Sequence, residues 1–142
     1  MKSNLLNAFV IGIFFSLIVI GCSAYSEGKP AAEAGIAAFH EQLNEGKFEE
    51  MYDASDQKLK DATSKDDFIQ FLSAIHTKLG NSQGSTSAGW NISNFNLVTT
   101  ITINQKTEFE HGHGVETFVY EIADKKASLV SYHIDSKELI IK

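Results

Sequence analysis

Apolar residues recur with two different periods along this chain. Between residues 36 and 79 they return every three or four positions, which is typical of helices that bury one face. After residue 94 they alternate with polar residues, which is typical of half-buried strands. Helices followed by consecutive strands predict an α+β fold, in which the N-terminal helices pack on a curved antiparallel sheet of about four strands. We expect such a sheet to form a cone with a cavity or groove inside.

The helical half of the pattern divides into three helices. The first is expected to begin near Pro30, because proline suits a first helical turn, and to end at Gly46. Residues Phe48–Ser55 predict a second, short helix. The third is expected to begin at Ser64, which opens a capping box, and to end at Gly80.

The second half of the chain predicts a loop and then a meander. Residues Asn81–Gly89 are small and polar, which is typical of a loop. Three alternating segments predict strands, and turn residues separate them at 111–114 and 123–128. The segments are Phe95–Asn104, Glu116–Ile122 and Val130–Ile134, the last with Val130, Tyr132 and Ile134 on one face.

The first residues follow neither period. No charged residue occurs between Ser3 and Ser26, and Leu5–Ile20 is an almost continuous apolar run behind the positive Lys2. A membrane-spanning helix needs about 20 apolar residues. A shorter run that follows a positive residue and precedes a small one, here Gly21, is typical of a secretory signal peptide.

The segment Val19-Ile20-Gly21-Cys22 resembles the lipobox of bacterial lipoproteins. The resemblance implies cleavage before Cys22, a diacylglycerol on its sulfur and a further acyl chain on its amine, which together anchor durably. It divides the chain into a signal peptide (1–21), a lipidated tether (22–29) and one domain (30–142). The alternatives are an uncleaved anchor and a plain secretory signal that leaves a free thiol. The implied location is the cell envelope, facing the periplasm, at the outer membrane if the cell has one.

Composition and charge restrict the partners. The formal net charge is −6, and all 12 basic residues are lysines. A chain without arginine and with excess negative charge does not suit nucleic acid, and it offers no planar fork for a phosphate or carboxylate. We expect no cofactor, since no phosphate-binding glycine pattern occurs. The membrane contact is expected through the lipid, and an envelope protein or a small ligand remains a possible partner.

A wider resemblance rests on short motifs within residues 31–136. The motifs in question are Asn44–Phe48, Glu49–Ala54, Ser64–Phe68, Leu79-Gly80, Phe109, Val115–Thr117 and Tyr132. In this order they are similar to a family of small bacterial exported proteins of unknown function. The resemblance implies the cone shared by cystatin-like and nuclear-transport-factor-2-like proteins, and it implies no activity.

Two groups of residues are candidates for chemistry. Glu116 shares its predicted face with apolar residues, so its carboxyl group is expected to point inward, where it could act as an acid or base or be a paired structural group. His111 and His113 could share a metal ion or be solvated turn residues. His40 and His76 lie on or near apolar helix faces and are expected to be boundary histidines rather than bases.

Three hypotheses about function follow from these observations. The first is a lipid-tethered, non-enzymatic binding or accessory module. The second is an acidic inhibitor or immunity-like protein for a basic partner, in which the carboxylates between Glu41 and Asp56 form one exposed face. The third is a small-ligand pocket or acid–base enzyme in the cone, in which Glu116 lines a cavity beside Tyr120, His40 or His76.

Overall fold

A computed structural model describes residues 23–141, with side chains from residue 28 onward. The fold is α+β, as predicted, with helices on the N-terminal side, a four-stranded antiparallel sheet after them and one short helix at the end. The sheet is open and curved, and its strands follow one another in the order β1-β2-β3-β4. The predicted signal peptide, the segment Val19–Gly21 and Cys22 lie outside the described residues.

Five helices occur in the described part of the chain. They are α1 (Ser23–Glu45), α2 (Phe48–Ala54), α3 (Gln57–Ala62), α4 (Lys65–Leu79) and α5 (Lys137–Ile140). Their apolar faces and the inner face of the sheet share one core. Its largest fully buried apolar side chains are Phe118, Leu43, Leu72, Ile75, Leu79, Ile101 and Ile103.

Helix α1 begins earlier than the sequence predicts. Pro30 lies inside the helix rather than in its first turn, and the segment expected to be a tether is helical from Ser23. The backbone of Gly28 packs directly on the sheet, since a Cβ built there would lie 2.8 Å from Cδ1 of Ile101. Composition alone marks this segment as polar and small, and only its packing on the sheet explains the helix.

Helix α4 has the two ends that the sequence predicts. The hydroxyl of Ser64 accepts a hydrogen bond from the backbone N–H of Asp67, at 3.2 Å, and donates one to its carboxylate, at 2.7 Å. Gly80 ends the helix with φ +74° and ψ −160°, a conformation that only glycine adopts readily. Helices α3 and α5 were not predicted, because each is too short to show a period.

The strands are β1 (Ser82–Phe95), β2 (Val98–Phe109), β3 (Gly112–Ala123) and β4 (Lys126–Asp135). The predicted loop Asn81–Gly89 is wrong, because most of it lies in β1. This strand is at the edge of the sheet and is exposed along most of its length, so no buried face imposes an alternating pattern on it.

Two turns interrupt segments that the sequence predicts differently. The predicted strand Phe95–Asn104 is wrong at its start, because Asn96 and Leu97, with φ of +49° and +65°, form a two-residue turn between β1 and β2. Asp124 and Lys125 form the corresponding turn between β3 and β4, with φ of +49° and +64°.

The inner face of β4 also differs from the prediction. The pairing of β3 with β4 skips Val130, so that Ser131 and Leu129 oppose consecutive residues of β3. This extra residue is a β-bulge, which shifts the alternation of the strand. Leu129, rather than Val130, is therefore the buried residue, while Ile134 is buried as predicted. The bulge leaves the ring of Tyr132 packed on Phe118, with ring centroids 5.1 Å apart.

Candidate functional site

Glu116 is fully buried within the core. It lies on the face of β3 that the alternating pattern predicts to point inward, and its exposed fraction is 0%. Its neighbours on that face are Phe118 and Tyr120, which are also buried. An isolated carboxylate in such surroundings would be strongly unfavourable, so its hydrogen-bond partners decide what it does.

Three side chains from three different elements contact the carboxyl group of Glu116. The hydroxyl of Tyr132 on β4 donates to Oε1 at 2.7 Å. Oε2 accepts from the hydroxyl of Thr107 on β2, and Nε2 of His40 on α1 lies 2.7 Å from the same oxygen. An ionised carboxylate only accepts hydrogen bonds, and a protonated Nε2 completes a set of three donors around it. We call these four residues the Glu116 cluster.

His40 connects the Glu116 cluster to the helix layer. Its place on α1 follows from the spacing of the buried residues Ile36, Phe39 and Leu43, which turn this face of the helix toward the sheet. The imidazole lies edge-on to the ring of Phe118, with centroids 5.8 Å apart, and keeps 12% of its side chain exposed. His40 is therefore more exposed than Thr107, the buried partner of the same carboxylate oxygen, whose exposed fraction is 1%.

Two tyrosines close to Glu116, Tyr120 and Tyr132, are held in their neutral form. Burial raises the pKa of Tyr132 well above its ordinary value, and the negative charge of Glu116 and its hydrogen bond raise that pKa further. The pKa of Tyr120 is also raised, mainly by burial and to a smaller extent by the negative charge of Glu116. Both hydroxyls therefore stay protonated at neutral pH, and Tyr132 remains a hydrogen-bond donor.

The cavities found in the described residues do not open on Glu116. One, of about 220 Å³, lies between α3, α4 and β4 and includes Tyr132 in its wall. A second, of about 170 Å³, lies between α1, α2 and β4 and includes Tyr120. Both are smaller than the roughly 300–1,000 Å³ typical of small-molecule sites, and neither includes Glu116 in its wall. A third, of about 440 Å³, is an open groove on the exposed face of α4 around Ile69, Ser73 and Thr77, and Glu116 is not part of its wall either.

The Glu116 cluster has the composition of an acid–base site and the packing of a structural one. Both carboxylate oxygens are occupied by donors of the same chain, and no buried side-chain nitrogen or oxygen within residues 28–141 lacks a hydrogen-bond partner. A proton-transfer group must come within about 3 Å of its substrate. No such approach to Glu116 is open, so the arrangement can join α1, β2, β3 and β4.

The other predicted histidines do not join the Glu116 cluster. Nε2 of His76 lies 2.9 Å from the amide oxygen of Asn81 at the end of α4. His111 lies in the turn between β2 and β3, whereas His113 lies in β3, and both are exposed. No group of three or more metal-ligating side chains occurs in the described part of the chain.

The predicted acidic face is partly neutralised. Glu41, Glu45, Glu49 and Glu50 are exposed, but Lys47 and Lys65 lie among them. Lys47 contacts Glu45 at 2.7 Å, and Lys65 contacts Glu49 at 3.5 Å. A further ion pair joins Lys65 to Asp53, and Asp56 instead caps α3 by accepting from the backbone of Lys58.

Comparisons with known proteins found no relative of this chain. Neither a protein-family model, a curated protein nor a solved structure matches the chain. The resemblance to small exported proteins therefore stays a prediction. Within residues 23–141, no helix is both long enough and apolar enough to span a membrane.

The sequence does not predict that Thr107 and Tyr132 contact the carboxyl group of Glu116. Thr107 falls beyond the predicted end of the first strand, and the alternating pattern places Tyr132 on one face with Val130 and Ile134 without indicating a contact with Glu116. The strand register supplies the missing information. Gln105 lies opposite Glu116 on β2, so Thr107, two positions farther on, shares its face, and Tyr132 lies opposite Phe118 on β4.

Proposed function

We propose that this protein is a lipid-anchored, extracytoplasmic binding or accessory module that has no catalytic role for Glu116. The observation that carries the non-catalytic part is the Glu116 cluster itself. Its carboxyl group is fully buried, and His40, Thr107 and Tyr132 contact both of its oxygens. A residue in this state holds the layers together and leaves no room for a substrate.

The anchoring part of the proposal rests on the sequence before α1. Val19-Ile20-Gly21-Cys22 has the order of residue types found in a lipobox, and the only cysteine of the chain lies there. Lipid attachment would explain a single cysteine in an exported protein, where an unpaired thiol would otherwise be exposed to oxidation. Helix α1 begins at the next residue, Ser23, so the domain would follow its anchor directly.

The two cavities beside the sheet are small, and the third, of about 440 Å³, is a surface groove on α4, which supports binding on the outer surface rather than in the cone. Together with the occupied carboxyl group, this favours a macromolecular partner in the envelope over a buried small ligand. The exposed apolar side chains, among them Phe71 and Trp90, are candidates for such contacts.

Intact-mass spectrometry of the protein purified from its native membrane tests the anchor. We expect a chain that begins at Cys22 and carries the added mass of two or three acyl chains. The matched control is Cys22→Ser, which offers no thiol for the lipid and should lack this mass. A native species that begins at Met1 with an unmodified Cys22 would refute the proposal.

A further inference from the structure

An exposed apolar tip lies at one end of the sheet. Phe95 ends β1 and Leu97 occupies the turn that follows it, with exposed fractions of 74% and 104%. Leu97 also has φ +65°, which is uncommon for a residue with a bulky side chain. Neither residue contributes to the core, so folding does not explain an apolar pair at this position.

Helix α1 begins at the same end of the domain. Gly28 lies against Ile101 and Ile122, whereas Gly35 lies against Tyr120, so the helix runs away from the tip as its numbers rise. His40 continues this direction, since it contacts Glu116 farther along β3.

The distances place the start of α1 level with the turns. Ser23 precedes Gly28 by five residues, which is about 7.5 Å of helix. From Ile122 to the turn at Asp124 is two residues of strand, about 6.6 Å. Two strands separate the two turns, so they lie roughly 10 Å apart. We call this end of the domain, with the start of α1 and both turns, the N-terminal end.

The charges at the N-terminal end suit a membrane surface. Lys125 in the turn between β3 and β4 and Lys126 at the start of β4 are both exposed, beside one acidic residue of the turn, Asp124. Lysines beside an exposed aromatic and an aliphatic residue are typical of surfaces at a lipid interface, where the ammonium groups reach the headgroups. Helix α1 carries Glu27 and Lys29 near its start, so these two formal charges cancel there, whereas Glu41 and Glu45 lie near its other end without a lysine between them.

We propose that Phe95 and Leu97 insert into the membrane interface beside the lipid on Cys22, with Lys125 and Lys126 at the headgroups. The inference rests on the proposed anchor, because Cys22 directly precedes Ser23 and acyl chains on it would hold the N-terminal end at the bilayer. The lipid and the tip form two contacts, and two contacts fix the orientation of the domain. The sheet then stands on the membrane, and α5 faces away from it.

The test uses the natively processed full protein in vesicles of phosphatidylethanolamine and phosphatidylglycerol with brominated acyl chains, which quench tryptophan. Trp90 is the only tryptophan, so Trp90→Phe gives a silent background. Phe95→Trp then reports on the tip. The matched control is Ile140→Trp, since Ile140 is 79% exposed and lies at the opposite end, where Leu139 accepts a hydrogen bond from Lys78 of α4.

We expect the Phe95→Trp protein to be quenched about threefold more strongly than the Ile140→Trp protein, because an interfacial side chain lies about 5–10 Å deep. Adding Leu97→Asp should remove the difference, because a charge beside the probe opposes insertion. Equal quenching of the two probes would refute the inference. Stronger quenching at Phe95→Trp that Leu97→Asp leaves unchanged would also refute it. Crosslinking that joins the tips of two copies would refute it as well, because the tip would then contact a second copy instead of the membrane.

Mass spectrometry of the same samples separates the two proposals. Acyl chains on Cys22 together with equal quenching would refute the inserted tip and leave the proposed anchor intact. An unmodified Cys22 would refute both. Far-UV circular dichroism checks that each variant is folded, which we expect because Phe95, Leu97 and Ile140 are exposed.

Discussion

Nε2 of His40 lies 2.7 Å from Oε2 of Glu116, across 76 positions of sequence. This contact joins the helix layer to the third strand of the sheet, within a core that is otherwise largely apolar. The contact is present only when α1 is docked on β3. It is therefore sensitive to the relative position of the two layers.

Removal of the imidazole should destabilise the domain. In His40→Ala the buried carboxyl group of Glu116 loses one of its three partners, and a buried polar group left without a partner costs about 1–3 kcal/mol. We expect a loss of that size in the free energy of unfolding, measured by urea denaturation. The control is His133→Ala, because His133 is exposed on β4. Equal effects of the two substitutions would contradict a structural role for His40.

Substitutions of Glu116 should depend on whether they preserve hydrogen bonding. Glu116→Leu leaves both Tyr132 and Thr107 facing an apolar group, so we expect the free energy of unfolding to fall by about 2–4 kcal/mol. Glu116→Gln keeps an accepting oxygen and should lose less, about 1 kcal/mol. Urea denaturation of both variants and of the parent protein measures these losses in the free energy of unfolding. A leucine variant as stable as the parent protein would show that the polar contacts contribute nothing.

Stability should fall at alkaline pH because of the buried tyrosines. Unfolded tyrosines lose their protons near pH 10, whereas the raised pKa values keep Tyr120 and Tyr132 protonated in the folded state. Above about pH 10 the unfolded state therefore binds fewer protons, and the free energy of unfolding decreases as pH rises, by at most about 1.4 kcal/mol per unit for each tyrosine. Below that range the tyrosines contribute no pH dependence.

The double variant Tyr120→Phe and Tyr132→Phe isolates this effect. Lysines such as Lys58 also titrate at high pH, but they do so in both proteins and cancel in the difference. Urea unfolding at a series of pH values should show a shallower alkaline decline in the double variant. If the free energy of unfolding declined equally steeply with pH in both proteins, the ionisation of the two tyrosines would make no contribution to the alkaline loss of stability.

Gly80→Ala should be among the most destabilising single-methyl changes. The glycine has φ +74°, and a Cβ built there would lie 2.7 Å from Nδ1 of His111. Strain of this backbone type costs of order 1–3 kcal/mol before the clash is counted. Gly46→Ala is the comparison, since Gly46 also has a positive φ, +71°, but nothing lies within 4 Å. Differential scanning calorimetry should show the larger loss for Gly80.

The sequence predicts this fold well wherever one face of an element is buried. The cap at Ser64, the end at Gly80 and the inward face of Glu116 all follow from local chemistry or alternation, and the structure contains each of them. Strand β1 was missed for the opposite reason, because its side chains are mostly exposed and only its backbone pairing makes it a strand.

The partners of Glu116 required information that no local pattern carries. The bulge at Val130 changes the alternation of β4, and the turn at Asn96-Leu97 has none of the glycine that usually marks such hairpins. An error at either place shifts the expected register, which decides which side chains face each other. The chemical character of the buried group was thus predictable, and its contacts with Thr107 and Tyr132 were not.

Strand β1 has a consequence for how neighbouring copies would behave when crowded together. It contains no charged side chain, and as an edge strand it presents backbone groups that another edge could pair with. Two register shifts, between Ser82 and Gly84 and between Ser87 and Gly89, interrupt this edge. Such irregularities prevent a second strand from aligning over a long stretch, so they guard against edge-to-edge aggregation without the help of electrostatic repulsion.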